Sequence, residues 1–402
     1  MLSLLFYRYL YALPILLVFV LYSLPALGGV VFNGSAEAAR LLFLSLGSSL
    51  VYFVGYKLLC TAAFSRFFSG FLKVRLKWQA VTMFIFVVYF FVIIYACLTA
   101  PGIALVAALK GVPMGELSGL REEFLRTREG WEKGLNYIYS ICITSLVPYA
   151  IAKMFVVKAR FRFAMLFAFL LSLALTLEKG RAVVAMLPLI VLYANLGDHK
   201  KAYRAIFTLV IIVGLISIIA RGGLTSNDST TESAAMEGVP EQYNLFKGES
   251  GQGYYILNRI GYIPYITAID WLNYREQVLR GDDVNGRSIG VVAFLFEQEK
   301  INLEREVFAF QWGQNDTGTG SSNTVFFVDA YLNFGIIGVI IYSLIVSFIA
   351  RVIVVSGDGA LVSCLSIPLL YICFTPLPAV LFSGGLAFLF LLALVFRVES
   401  KR

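Results

Sequence analysis

The stretch "SSNTVFFVDAYLNFGIIGVII", Ser321 to Ile341, decides the fold. A polar segment turns into an apolar run that continues to about residue 350. About 20 residues rising 1.5 Å each are enough for a helix to cross a bilayer. Asp329 sits near the start of this run, and it is the only ionisable residue that any apolar run in the chain clearly encloses.

Nine further apolar runs lie outward from this one, giving expected spans at about 11–31, 40–60, 79–99, 135–152, 163–177, 182–197, 205–220, 324–350, 359–375 and 379–396. The composition agrees: 59% of residues are hydrophobic, 14% are charged and the mean hydropathy is +0.80. Soluble domains sit near ~45–50% apolar and ~25% charged. Only helices or closed barrels satisfy their backbone in lipid, and these runs are too long and uniform for barrel strands. The expected fold is all-α, a polytopic integral membrane protein of about ten transmembrane helices. Its organisation is helices one to seven over 1–220, a partly helical loop over 221–323 and helices eight to ten over 324–402. The first run is long enough to span and more spans follow it, so no cleavable signal is expected.

Charge sets the orientation. One set of connections, from Arg8 through Arg66, Arg160, Lys200 and Arg351 to Arg402, carries 17 basic residues against Asp198, Asp358 and Glu399. The positive-inside rule places that side and both termini in the cytoplasm. The 221–323 loop holds eight basic and fourteen acidic residues, a net of −6, and belongs outside. The overall charge of +8 is therefore a topology signal, and no nucleic-acid partner is expected. The five cysteines all lie in or beside apolar runs, which implies neither a disulfide framework nor a zinc site.

Within the loop, 221–253 is rich in Gly, Ser, Thr and Glu and reads as a flexible cover. Residues 254–311 read as folded, with two helical pieces broken near Gly261–Pro264 and another helix in "VVAFLFEQEKINLEREVF". The connection 100–133 opens on a short apolar piece, Ile103–Leu109, followed by the helix-forming "GELSGLREEFLRTREGWEKG". There Glu122 with Arg126 and Arg128 with Glu132 stand four apart. Glu178, Lys179 and Arg181 crowd a tight outer hairpin. Intramembrane polar relays are scarce and no inverted repeat is evident, which argues against a transporter.

The outer face collects arginines, whose planar forks suit phosphate or pyrophosphate. Arg181, Arg221, Arg259 and Arg287 stand out because they sit at span ends or among apolar residues. Arg287 also lies in the Gly-flanked "NGRSIG". The only histidine, His199, falls on the basic side. An outer-face base must then be a carboxylate or a tyrosine, or none is needed where pyrophosphate leaves and arginine neutralises its charge.

The layout resembles the Wzy-type oligosaccharide repeat-unit polymerases, the O-antigen polymerases. The resemblance is carried by "LREEF" at Leu120–Phe124, "EKGRAVVAML" at Glu178–Leu187 and the quoted stretch with its "NFGxxG". It implies a membrane glycosyltransferase of the C-type superfamily in the bacterial inner membrane, working without cofactor or metal at the periplasmic face. The implied donor is an undecaprenyl-pyrophosphate-linked oligosaccharide, with a chain-length regulator and a flippase of the same pathway as partners. By that analogy Arg181, Arg259 and Arg287, with Asp329 as a base, are the expected catalytic residues. Arg121, Arg221, Asp270 and Tyr331 are the expected substrate contacts. The related O-antigen ligases are expected to use a periplasmic histidine, which this chain lacks. A transporter or flippase of a lipid-linked saccharide remains the alternative from another class.

Overall fold

The computed structural model describes residues 10–70, 74–112, 114–125, 127–219, 243, 257–313 and 320–399. Arg221 and, Tyr243 apart, the whole 221–253 stretch fall outside them. The helices of the first half are α1 (Ala12–Asn33), α2 (Ala36–Leu58), α3 (Ala62–Gly70), α4 (Trp78–Thr99) and α5 (Ala104–Leu109). They continue as α6 (Met114–Leu125), α7 (Glu132–Val156), α8 (Arg162–Ala174), α9 (Lys179–Asn195) and α10 (His199–Ile219). The loop contributes α11 (Ile263–Gln277), α12 (Gly290–Leu295) and α13 (Leu303–Trp312). The chain then forms α14 (Phe326–Val355), α15 (Gly359–Tyr371), α16 (Leu377–Leu381) and α17 (Leu386–Val395).

Six of these, α1, α2, α4, α7, α10 and α14, are long and apolar enough to cross a membrane. The chain is accordingly a helical protein of multi-pass membrane type. The other four expected spans appear as the shorter apolar helices α8, α9, α15 and α17. The 13 residues of α8 rise only about 20 Å, less than the ~30 Å hydrocarbon core. Turns after α8, α9 and α15 and before α17 take up the remainder of those apolar runs. The all-helical expectation also meets one exception. Val74–Lys77 (β1) and Phe396–Glu399 (β2) pair in parallel, which ties the segment before α4 to the C-terminal end.

Close packing follows from small and hydroxyl residues on the buried faces, since lipid supplies no hydrophobic drive between helices. On α2, a Cβ added at Gly55 would lie 2.7 Å from Ser347 Oγ, so α14 approaches its backbone directly. Ser23 meets Ser45 at 2.8 Å between α1 and α2, and Tyr89 meets Ser172 at 2.6 Å between α4 and α8. A π-turn at Cys142–Leu146 within α7 directs Thr144 and Ser145 to donate to Gly384 O, at 3.0 and 2.7 Å.

The two ends of the stack are chemically distinct. Arg351 at the end of α14 donates to Leu59 O (3.3 Å) just past α2 and to Ser65 on α3, and Lys153 of α7 pairs with Asp358 at 2.9 Å. At the opposite end Arg40 pairs with Glu276, and Glu178 with Arg181. Lys153 corrects the expectation that Asp329 alone is enclosed. It lies inside α7 with its side chain 5% exposed, because Asp358 supplies a buried counter-charge.

The folded part of the loop is built on α11. The expected break near Gly261–Pro264 is instead a π-turn, Asn258–Tyr262, running directly into α11, which absorbs Pro264 at the start of the regular helix. The expected helix over "VVAFLFEQEKINLEREVF" is divided into α12 and α13. Trp271 is fully buried and donates to Ser322 Oγ at 3.1 Å.

Candidate functional site

Glu178 precedes α9 in extended conformation, and Arg181 follows three residues later on its first turn. That spacing folds the two side chains onto each other. Arg181 Nε stands 2.6 Å and Nη2 2.8 Å from the two Glu178 oxygens, a bidentate fork. The remaining edge donates through Nη1 to Tyr139 OH on α7, with the guanidinium 5.0 Å from the centre of that ring. Tyr139 is itself stacked on Tyr89 at 6.3 Å, so its position is set by α4.

Glu178 and Arg181 border a cavity of about 290 Å³ between α7, α9 and the α15–α17 region. The hydroxyl-bearing residues Ser140, Thr144, Tyr371, Thr375 and Ser383 line it together with Glu178 and Arg181. The mixture of one ion pair, several hydroxyls and an apolar floor suits a polyol carrying an anionic group. Arg121 is placed nearby in the fold. Leu117 and Leu120 of its helix α6 share an apolar cluster with Leu177 and Ala182, which flank Glu178 and Arg181. Arg121 Nε is enclosed and has no hydrogen-bond acceptor among the described residues.

A second polar cluster forms where the loop meets α14. That helix is broken at Phe334 (φ −145°, ψ 20°) and Gly335 (φ 60°, ψ −151°), the second conformation being essentially confined to glycine. The break leaves Leu332 O without an intrahelical donor, and Val284 N takes it at 2.9 Å. Asn333 holds Asp329 Oδ1 at 3.0 Å through its amide nitrogen, while its oxygen accepts from Ser288 at 2.7 Å. Phe334 sits where a Cβ on Gly286 would fall, 2.7 Å away. Arg275 donates to Asp283 at 2.8 Å and covers the Tyr331 ring at 4.6 Å. The "NFG" of the quoted stretch is thus the seat of the loop.

The expected site residues are accordingly divided. Arg181 lines the cavity, whereas Arg259, Arg287, Asp329, Asp270 and Tyr331 do not. Arg259 lies exposed on the π-turn before α11, and Arg287 donates to Val284 O at 3.3 Å. Asp329 is 2% exposed and one of its oxygens has no partner among the described residues. Asp270 is buried inside the loop unit, accepting from Tyr243 (2.7 Å) and Gln311 (3.0 Å). Burial raises its pKa while those two donors oppose the rise. Burial likewise raises Glu304. Among the described residues, no cluster of His, Cys, Asp and Glu could hold a metal ion.

Sequence reading left Glu178 as one of three charges at an outer hairpin and gave Tyr139 no role. The i, i+3 spacing of Glu178 and Arg181 is the signal that could have paired them. Tyr139 reaches Arg181 only through helix packing. No family model, no curated protein and no solved structure matches this chain.

Proposed function

We propose that this chain is a membrane-embedded glycosyltransferase that polymerises lipid-linked oligosaccharide repeat units. It moves a nascent glycan from a polyprenyl pyrophosphate to a hydroxyl of a second lipid-linked unit. The observation that carries the reading is the hydroxyl-lined cavity bordered by the Arg181–Glu178 pair. Its volume lies at the small end of ligand sites, roughly 300–1,000 Å³. It therefore suits the reacting sugar and its phosphate, with the lipid and the remaining glycan lying outside.

In the reaction, the bond from the anomeric carbon to the pyrophosphate oxygen breaks and a bond to the acceptor oxygen forms. The pyrophosphate leaves on its lipid with the electron pair, and the acceptor hydroxyl gives up its proton. Arg181 is the group that meets the leaving charge. Its fork is held by Glu178 beforehand, so an arriving pyrophosphate exchanges places with that carboxylate. Glu178, released, takes the acceptor proton. One neutral pair thus supplies both functions without histidine. Asp329, enclosed at the loop seat, is a positioning residue in this scheme.

The break in α14 is the observation that favours the alternative of a lipid-linked saccharide transporter, since broken helices mark many transport sites. Electrophoresis of surface polysaccharide from a strain lacking the gene separates the two. A polymerase predicts single repeat units on the outer leaflet and a ladder restored by wild type but not by Arg181→Ala. A complete ladder in the deletion strain, or lipid-linked units held on the inner leaflet, overturns the proposal.

A further inference from the structure

Residues 287–301 form a finger standing on the broken end of α14. Its base is closed by Ile301 N donating to Arg287 O at 3.1 Å, and its tip by Gln298 N donating to Ala293 O at 2.9 Å. Glu297 turns the chain in the left-handed region (φ 51°), which is unusual for a side chain of its kind. Inside the finger Ala293 is buried. Outside it, Val291, Phe294, Leu295 and Phe296 project as exposed side chains, Phe294 being 82% and Phe296 69% exposed. Adjacent large apolar residues this exposed mark an interaction surface.

The depth of the finger follows from α14. Twenty residue steps separate Gly335 from Val355, a rise of about 30 Å that matches the hydrocarbon core. Exposure along the helix agrees. Residues 326–333 are buried apart from the half-buried Tyr331, and outward-facing apolar side chains begin directly after the break at Ile336 and Ile337. The break therefore marks the hydrocarbon boundary on the loop side. The finger is locked to it, because a Cβ on Gly286 would lie 2.7 Å from Phe334 Cζ and 2.8 Å from Val292 Cγ1. The base of the finger is thus seated on the broken end of α14, beside which the helix's outward-facing apolar stripe begins. Arg287 at its base and Lys300, whose side chain lies 3.8 Å from where a Cβ on Gly290 would fall, flank it with positive charge.

We infer that the tip Val291–Phe296 is a membrane anchor that inserts its aromatic and aliphatic side chains among the acyl chains at the bilayer surface. Arg287 and Lys300 lie at headgroup level, where cations are favoured beside lipid phosphates. The anchor holds the loop unit down on the bilayer next to α14. This does not depend on which reaction the protein performs.

The test places an environment-sensitive fluorophore at Phe294→Cys or Leu295→Cys in the full chain, with Cys60→Ser and Cys97→Ser removing the two native thiols that are not buried. The protein is reconstituted at low density in phosphatidylcholine vesicles. The expected result is blue-shifted emission that loses most of its intensity to a shallow nitroxide-labelled lipid and little to aqueous iodide. A probe at the exposed Glu299→Cys on the same finger is expected to respond in the opposite sense. Iodide quenching at 294 and 295 equal to that at 299 overturns the inference, as does protection from both quenchers, which would mean that protein covers the tip.

Discussion

Two ion pairs sit near opposite ends of α7, and each of them meets a tyrosine of that helix. Arg181 with Glu178 meets Tyr139, and Lys153 with Asp358 meets Tyr149, whose hydroxyl is 3.3 Å from the carboxylate. Side-chain exposures are comparable, 13% and 24% for the first pair against 5% and 16% for the second. The difference is space. The first pair borders a hollow of about 290 Å³ between helices, whereas the second is packed against α15, whose first turn Asp358 also caps through Ala360 N at 3.1 Å. A charged pair in a membrane scaffold therefore does not mark a site by itself. An adjoining cavity is what separates the Arg181–Glu178 pair from the pair that fastens α7 to the start of α15.

The comparison predicts that the largest stability loss arises at the enclosed pair. Lys153→Met leaves a mostly buried carboxylate without its counter-charge, at an expected cost of about 3–5 kcal/mol. Combining it with Asp358→Asn, which keeps the helix cap, should recover most of that. Thermal unfolding in detergent reads both variants. A single variant as stable as wild type would break the distinction.

Arg181→Ala should act the other way, lowering glycan transfer about 10²–10³-fold while moving the unfolding temperature less than Lys153→Met does. Arg181→Lys should restore little, since a single ammonium cannot reproduce the fork. Equal losses of fold and activity would make the cavity pair another fastener.

The loop seat lies between these extremes. Gly335→Ala forces a side chain into a conformation reserved for glycine, with its Cβ 3.1 Å from Asp283 Oδ2. The expected cost is about 1–3 kcal/mol. Faster hydrogen exchange at Val284, whose amide caps Leu332 O, should accompany it. Unchanged exchange there would show that the seat does not depend on the break.

The smallest effect is expected at Asp270, whose pKa burial raises above the ordinary 3.8. A carboxyl with a raised folded pKa adds stability that is fully present below about pH 3.8 and lost as pH rises through the folded value. Asp270→Asn keeps an acceptor for Tyr243 and Gln311 but cannot ionise. It should remove this pH dependence and slightly steady the loop at neutral pH, as limited proteolysis between pH 4 and 7 would show. A loop equally protected across that range in wild type would contradict it.

Helix existence was legible because apolar run length is a local property: each of the ten runs contains a helix. Which runs are long enough to span was less legible, because turns cut short the C-terminal ends of α8, α9 and α15 and the N-terminal end of α17. The "NFG" motif was visible as a word, yet its meaning required the partner strand of chain at Val284–Ser288, some 45 residues earlier. The loop-face arginines were visible as a set. The structure ranks them, seating Arg181 on a cavity and leaving Arg259 and Arg287 on the loop unit.

By itself, the sequence determined a helical membrane scaffold, a polar insertion before α14 and two chemically distinct ends, since hydropathy and charge are sums over residues. Only the tertiary structure decided that Glu178 and Tyr139 complete Arg181, that Lys153 is enclosed, and that α14 is broken at Phe334–Gly335. Those outcomes depend on which residues distant in sequence come within a few ångströms and on where packing leaves a void, and both are set by the fold as a whole.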